Sequence, residues 1–140
     1  GAGATGAIDT HVVPFHYALQ EFYAERADDM ERLGVWTGGM FTAVGQAGFL
    51  YEIAMYWPDE RHAFLAKQPA YPANPEARAY VAKLKTDLVE LYQKHGAAHF
   101  QLGRNYPYRN RLEKNAGALV AAIKQQLDPR GLMNPGALGF

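Results

Sequence analysis

The stretch MFTAVGQAGFLYEIAMYW, from Met40 to Trp57, decides the fold. Two apolar runs, Met40 to Val44 and Phe49 to Trp57, flank a four-residue connection with a glycine at each end, and this pattern predicts a β-hairpin. Successive strand residues point to opposite sides of a sheet. One face of the second run therefore carries Phe49, Tyr51, Ile53, Met55 and Trp57, and the other carries Leu50, Glu52, Ala54 and Tyr56.

Two helical segments surround this hairpin. Apolar residues from Phe15 to Leu33 recur at helical spacing and end at Gly34, which favours a left-handed stop. After the hairpin, Asn74-Pro75-Glu76 supplies a capping side chain, a proline at the first helical position and an early acid. The helix that follows carries an apolar stripe and closes at Gly96; the stripe comprises Ala77, Tyr80, Val81, Leu84, Leu88, Leu91 and Tyr92.

Two further strands complete the predicted topology. Thr10 to Val13 reads as a short strand that Pro14 ends, and Ala97 to Leu102 alternates as a fourth strand. The order β-α-β-β-α-β is that of an α+β, ferredoxin-like antiparallel sheet with strand order 4-1-3-2 and both helices on one face. A C-terminal helix over residues 111–127 follows, with Leu112, Leu119, Val120, Ile123 and Leu127 expected inward, and residues 1–9 are expected to be a flexible lead-in.

Composition excludes several classes of protein. The 14 basic and 14 acidic residues cancel, which gives no electrostatic case for binding nucleic acid. Cysteine is absent, so disulfides, thiolate zinc sites and cysteine nucleophiles are excluded. The five histidines lack the spacing of a helical zinc site, and we expect no metal. No apolar run approaches a membrane span and no signal pattern is present, so we expect a cytoplasmic location.

The face of the sheet away from the helices is the first candidate binding surface. It would carry Glu52, Tyr56, His99 and Gln101, a polar and aromatic set suited to a small substrate. In strand order 4-1-3-2, Glu52 and His99 would be about 10 Å apart, two strand spacings, and would flank a ligand. A solvated sheet face is the alternative interpretation.

A cationic and aromatic cluster precedes the last helix. Residues 104–111 read RNYPYRNR, in which Arg104 and Tyr106 stand close to Tyr108 and Arg109. Arginine offers a planar fork for carboxylates and tyrosine a donor, so the loop suits an anionic or phenolic substrate. A basic surface between domains is the alternative.

From Gly96 to Gly136 the chain resembles the closing segment of FAD-linked oxidases of the vanillyl-alcohol oxidase and cresol methylhydroxylase type. The pair Tyr108-Arg109 before the last helix and the closing run DPRGLMNPG, residues 128–136, carry the resemblance. It implies that Tyr108 and Arg109 stabilise charge on the substrate and that Asn134 lies near the flavin. Residues 10–140 would then be the C-terminal substrate or cap domain of an FAD-dependent oxidoreductase.

The same resemblance implies the cofactor and the partners. FAD would be bound mainly by a separate FAD-binding domain of the same enzyme, and the substrate would be a phenolic alcohol or a hydroxy acid that loses a hydride to FAD. This chain alone would be inactive. A free-standing ferredoxin-like module that binds a small ligand or a protein is the alternative, and the sequence leaves open whether the chain forms a homo-oligomer.

Overall fold

The computed structural model describes residues 2–9, 12–46, 48–60, 67, 70–97, 99 and 108–139, with residues 2–9 and 12 described as backbone only. Its elements are β1 (Ala2–Asp9), α1 (Val12–Ala24), α2 (Ala27–Leu33), β2 (Trp36–Val44), β3 (Gly48–Tyr56), α3 (Pro75–Lys94), α4 (Tyr108–Arg111), α5 (Lys114–Leu127) and a 3-10 turn (Ala137–Gly139). The chain divides into a sheet unit, Gly1–Ala98, and a terminal unit, His99–Phe140.

The sheet unit has α+β architecture. Its three strands lie in the order β1-β3-β2, with both neighbouring pairs antiparallel. The predicted hairpin is confirmed, and the pairing of Val44 with Gly48 shortens its connection by one residue. Among the described residues, the two hairpin strands are those that the sequence predicts; Ala97 and His99 have no regular structure, and the rest of the expected fourth strand lies outside the described residues.

The N-terminal prediction needs two corrections. Ala2–Asp9, expected as a flexible lead-in, is a strand that pairs with β3, from Ala2 opposite Tyr56 to Asp9 opposite Phe49. Val12 and Val13, expected at the end of a strand, begin helix α1, while Thr10 and His11 lie outside the described residues. Pro14 fits this first turn because its missing N–H would have no partner inside the helix.

The core lies between one face of the sheet and the helices. Tyr51, Ile53 and Met55 are buried, as the alternation predicts, against side chains of α1 and α3. The ring of Phe15 stacks on Tyr92 and meets Tyr51 edge-on, with ring centroids 4.9 Å apart in both pairs. The Tyr92 hydroxyl also donates to the Tyr51 carbonyl over 3.4 Å. This aromatic contact joins α1, β3 and α3.

The start of α3 and the glycine stop at Gly34 are confirmed, whereas the single helical segment expected from Phe15 to Leu33 is two helices, α1 and α2. The Asn74 side chain accepts a hydrogen bond from the Ala77 N–H at 3.0 Å, which caps α3. Five residues of the predicted stripe are buried: Ala77, Val81, Leu84, Leu88 and Tyr92. Gly34 adopts a φ of +66° after α2, and a Cβ there would approach the Pro58 ring to 3.1 Å. Glycine is therefore required at this stop for two reasons.

The buried carboxylate of Asp59 links the irregular segment after β3 to α3 through hydrogen bonds and an ion pair. Asp59 accepts from Arg78 Nε at 2.6 Å and Nη2 at 2.9 Å, and also from Trp57 Nε1 and the backbone N–H of Asn74. The Arg78 guanidinium, followed by those backbone and indole donors, holds the pKa of Asp59 well below its usual range. The ionised form of Asp59 therefore stabilises the fold.

Truncating the centre of the core should destabilise the protein. Leu88 is fully buried, so Leu88→Ala leaves a cavity and should lower the free energy of unfolding by about 2–5 kcal/mol. Leu119→Ala removes the same atoms from a side chain that is 62% exposed, and should change it by less than about 0.5 kcal/mol. Urea denaturation followed by circular dichroism measures both; equal losses would contradict the described core.

Acid should weaken the protein through Asp59. Because its pKa is lower in the folded than in the unfolded chain, its stabilisation is complete above about pH 4 and disappears as pH falls through the folded-state pKa. Asp59→Asn should lower stability at pH 7, and the difference from wild type should shrink in acid. Urea denaturation at several pH values measures this. Asp28→Asn, on the exposed surface of α2, is the matched control and should have little effect at any pH.

Candidate functional site

The terminal unit contains the described candidate site residues from the last third of the sequence. Tyr108 and Arg109 open α4, and Tyr108 is half-buried. The sequence predicts one helix over residues 111–127, whereas α4 ends at Arg111 and α5 begins at Lys114. The Glu113 side chain causes the restart, because it accepts from the backbone N–H groups of Asn115 and Ala116 and so caps α5.

A second buried carboxylate shapes the segment after α5. Asp128 accepts from the backbone N–H groups of Leu132 and Met133 at 2.8 and 2.9 Å, and from the Lys124 ammonium one helical turn earlier. Lys124 also donates to the Met133 carbonyl. The Lys124 ammonium first, and then the backbone donors, lower the pKa of Asp128. The closing run is therefore a turn built around one ionised side chain.

Arg109 and Asn134 both form hydrogen bonds with the terminal turn. The Ala137 N–H donates to the Asn134 carbonyl at 3.0 Å, and Arg109 Nη1 donates to the Gly139 carbonyl at 3.2 Å. Asn134 has a φ of +47°, a left-handed conformation that asparagine adopts more readily than most residues. The structure thus brings two of the sequence-predicted site residues to the 3-10 turn Ala137–Gly139.

A cavity of about 320 Å³ opens beside this turn. Its wall is mostly apolar, with Val120, Ile123 and Leu127 from α5 and Met133 from the following turn. Lys124, Asp128 and Asn134 line the cavity too, so polar residues border a wall that is otherwise apolar. A few polar groups in a largely apolar cleft are typical of small-molecule sites.

The apolar stripe of α5 faces outward, which corrects the predicted inward face. None of the fourteen described residues of α5 is buried, and Leu119 and Leu127 are 62% and 74% exposed. Leu132 and Met133 in the next turn are also exposed. Helical periodicity predicted where the apolar stripe lies, but it does not specify what covers that stripe.

The other predicted site residues fall in different places. Glu52 and Tyr56 lie half-buried on the predicted sheet face, away from the core. His99, also half-buried, belongs to the terminal unit, so its separation from Glu52 stays a prediction. Gln101, Arg104 and Tyr106 lie outside the described residues.

The open sheet face also carries an aromatic pair that the sequence pattern did not indicate. Trp36 lies opposite Tyr56 in the register, and the two rings stack with centroids 4.2 Å apart. Trp36 remains 58% exposed. Trp36 is a residue type that favours strands, but Gly38 and Gly39 interrupt the strand pattern after it. The predicted strand therefore began at Met40.

Two further properties concern the described part of the chain: its metal-ligating side chains and the apolar character of its helices. Within it, no group of three or more His, Asp or Glu side chains could hold a metal ion. None of the described helices combines the length and the apolar character needed to cross a membrane.

Removing the Asp128 carboxylate should loosen the terminal turn. In Asp128→Ala the amide hydrogens of Leu132 and Met133 lose their acceptor and should exchange with solvent faster, as measured by hydrogen–deuterium exchange with NMR detection. Glu113→Ala is a matched control that removes another carboxylate acceptor. It should speed exchange at Asn115 and Ala116 alone. Unchanged exchange at Leu132 in Asp128→Ala would contradict the described turn.

Comparison with known proteins adds no relative to this picture. No family model, curated protein or solved structure matches the chain.

Proposed function

We propose that this chain is the C-terminal substrate or cap domain of an FAD-dependent oxidoreductase. In this proposal the domain covers the flavin and shapes the pocket for a phenolic alcohol or hydroxy-acid substrate. The bound FAD would accept the hydride, while the chain would supply orientation and electrostatics. The observation that carries the proposal is the exposed apolar stripe of α5 beside the cavity that Asn134 lines.

The exposed stripe favours a companion body over an isolated module. Leu119, Ile123 and Leu127 stand on one side of α5, and each is at least half exposed. Contiguous exposed apolar side chains mark surfaces that another protein surface or a ligand covers. A companion FAD-binding domain would bury this stripe, and a free-standing module would have to keep it in water.

The polar residues beside the cavity suit a contact with the edge of a flavin ring better than binding of the whole dinucleotide. Asn134 is one of the residues that line the cavity, and the Arg109 guanidinium donates to the Gly139 carbonyl in the turn beside it. Such fixed donors stabilise negative charge that develops in a substrate. A phosphate-binding glycine loop at a helix start is not found in the described residues. We therefore assign the phosphates of FAD to the companion domain.

The fold proposal adds one strand. We extend the three-stranded sheet by a fourth strand over residues 97–102 beside β1, which would complete the ferredoxin-like β-α-β-β-α-β topology. This placement would bring His99 and Gln101 to the face that carries Glu52 and Tyr56. The antiparallel order β1-β3-β2 supports the extension, because it is the order of the remaining three strands in that fold.

A free-standing binding module is the second candidate. The observation that favours it is the Trp36 and Tyr56 stack, because an exposed aromatic pair on an open sheet face is a ready surface for a flat or apolar ligand. Glu52, also on this face, would add a carboxylate acceptor. This candidate requires no flavin, which separates it from the first.

The complete gene product, with whatever precedes and follows this segment, provides the test. If the proposal is right, the purified protein carries the visible absorbance of a flavin, and para-substituted benzylic alcohols or 2-hydroxy acids bleach it anaerobically. Arg109→Ala should slow that reduction roughly 10²-fold, the usual effect of losing a charge-stabilising donor. Arg130→Ala, which removes an exposed guanidinium from the turn after α5, is the matched control and should leave the rate unchanged.

Two outcomes would contradict this assignment. A colourless complete protein that takes up no added FAD would remove the flavoenzyme proposal and favour the module. A flavoprotein in which Arg109→Ala and Arg130→Ala reduce at the wild-type rate would remove the role of Arg109. Stopped-flow absorbance measures both rates.

A further inference from the structure

Strand β2 forms one edge of the sheet. In the order β1-β3-β2 it has β3 on one side, and no other described residue is hydrogen-bonded to its backbone. Alternate N–H and C=O groups of β2 therefore point away from the sheet. The nine residues of the strand, Trp36–Val44, pair with β3 in one unbroken register. A further strand can therefore pair along the whole length of this edge.

The composition of β2 does not protect this edge. Natural sheets usually prevent pairing of an edge strand with charged side chains, a proline or a bulge. The strand reads WTGGMFTAV, which contains no charged residue and no proline. The other edge strand, β1, consists mainly of alanine and glycine and ends at Asp9, so it offers less side-chain contact. Of the two edges, β2 is therefore the one that favours association.

Large apolar side chains are exposed along β2 on both faces of the sheet. Trp36, Met40 and Val44 lie on the open face, and Phe41 lies on the core face opposite Tyr51. Each of these four β2 side chains is at least 42% exposed. Exposed apolar side chains beside unpaired backbone groups are the features that strand addition by another chain uses.

The order of large and small residues in β2 identifies the partner. If two copies pair antiparallel about a two-fold axis at Met40, residues equally far from Met40 on either side lie opposite each other. Phe41 then lies opposite the partner's Gly39, and Trp36 lies opposite the partner's Val44. An aromatic ring that covers a glycine on a neighbouring strand compensates for the missing side chain. No two aromatic side chains face each other, so the strand is sterically complementary to itself.

We propose that two copies of this chain associate through their β2 strands and form one continuous antiparallel sheet. The two-fold axis makes the contact isologous, so the assembly closes at the dimer. Because β2 carries no charge, identical strands meet without electrostatic repulsion between their side chains. This association is independent of the proposed flavin function and needs no cofactor.

The exposed area predicts a weak dimer. About half of a large side chain amounts to roughly 100 Å², so the four exposed side chains of β2 would bury about 300–400 Å² per copy. Even with the backbone of the strand, the total for two copies lies near the lower limit of specific interfaces, about 1,200 Å². We therefore expect a dissociation constant in the micromolar range.

Sedimentation equilibrium of the chain at increasing concentration tests the proposal. The mean mass should rise from 15.5 kDa toward twice that value. Met40→Lys places two like charges directly opposite each other at the axis, so it should raise the dissociation constant at least roughly tenfold. The variant should fold, because within its own sheet the ammonium lies opposite Glu52. Ile123→Lys is the matched control: it adds the same charge to a side chain of α5 that is also 50% exposed, and it should leave association unchanged.

A cysteine at the axis tests the register. The chain contains no cysteine, so Met40→Cys supplies the only thiol. Directly opposed residues of antiparallel strands have Cα atoms about 4.5–5.5 Å apart, which is within the range of a disulfide. Mild oxidation should therefore convert Met40→Cys to a covalent dimer. In Val44→Cys, a control on the same strand and face, the two thiols of a dimer would be roughly 25 Å apart and should crosslink far more slowly.

Three results would overturn the proposal. The first is a mass that stays at the monomer value at every concentration. The second is association that Ile123→Lys abolishes and Met40→Lys leaves intact, which would place the contact on α5. The third is crosslinking of Val44→Cys as fast as that of Met40→Cys, which would contradict pairing about Met40.

Discussion

The packing of Phe15 between Tyr51 and Tyr92 is the contact on which the sheet unit depends. It joins a helix, the central strand and a second helix through three rings, and all three residues are buried. Aromatic side chains contribute large buried areas and prefer such edge-on or offset arrangements. Because β3 turns this face to the helices, its alternate residues face the other way. The antiparallel register then aligns Trp36 with Tyr56 and Met40 with Glu52.

Two ionised carboxylates hold the irregular parts of the chain. After β3, Asp59 accepts hydrogen bonds from a guanidinium, an indole and backbone N–H groups. After α5, Asp128 accepts hydrogen bonds from an ammonium and two backbone N–H groups. In each case, segments without helix or strand pairing obtain partners for backbone groups that would otherwise depend on water. The pKa of both carboxylates is lowered by these donors.

The two units differ in how much of their apolar surface they bury. The sheet unit encloses its own core. The terminal unit leaves the stripe of α5 exposed and brings Arg109 of α4 and Asn134 into contact with one turn. This contrast is why the terminal unit supports a proposal about a companion domain.

Local signals in the sequence determined the hairpin of β2 and β3, the face of β3 that is buried, the Asn74 cap and the glycine stop at Gly34. Each depends on residues close together in the chain, so periodicity and capping chemistry suffice. The strand Ala2–Asp9 could not be read from its alanines and glycines, because its partner is the free edge of β3, about fifty residues away. The exposure of Leu127 and the burial of Asp59 likewise depend on which distant groups pack nearby. Only the tertiary structure decides strand pairing and burial, because both depend on which distant groups approach a segment. The side-chain pattern of a segment contains no information about those distant groups.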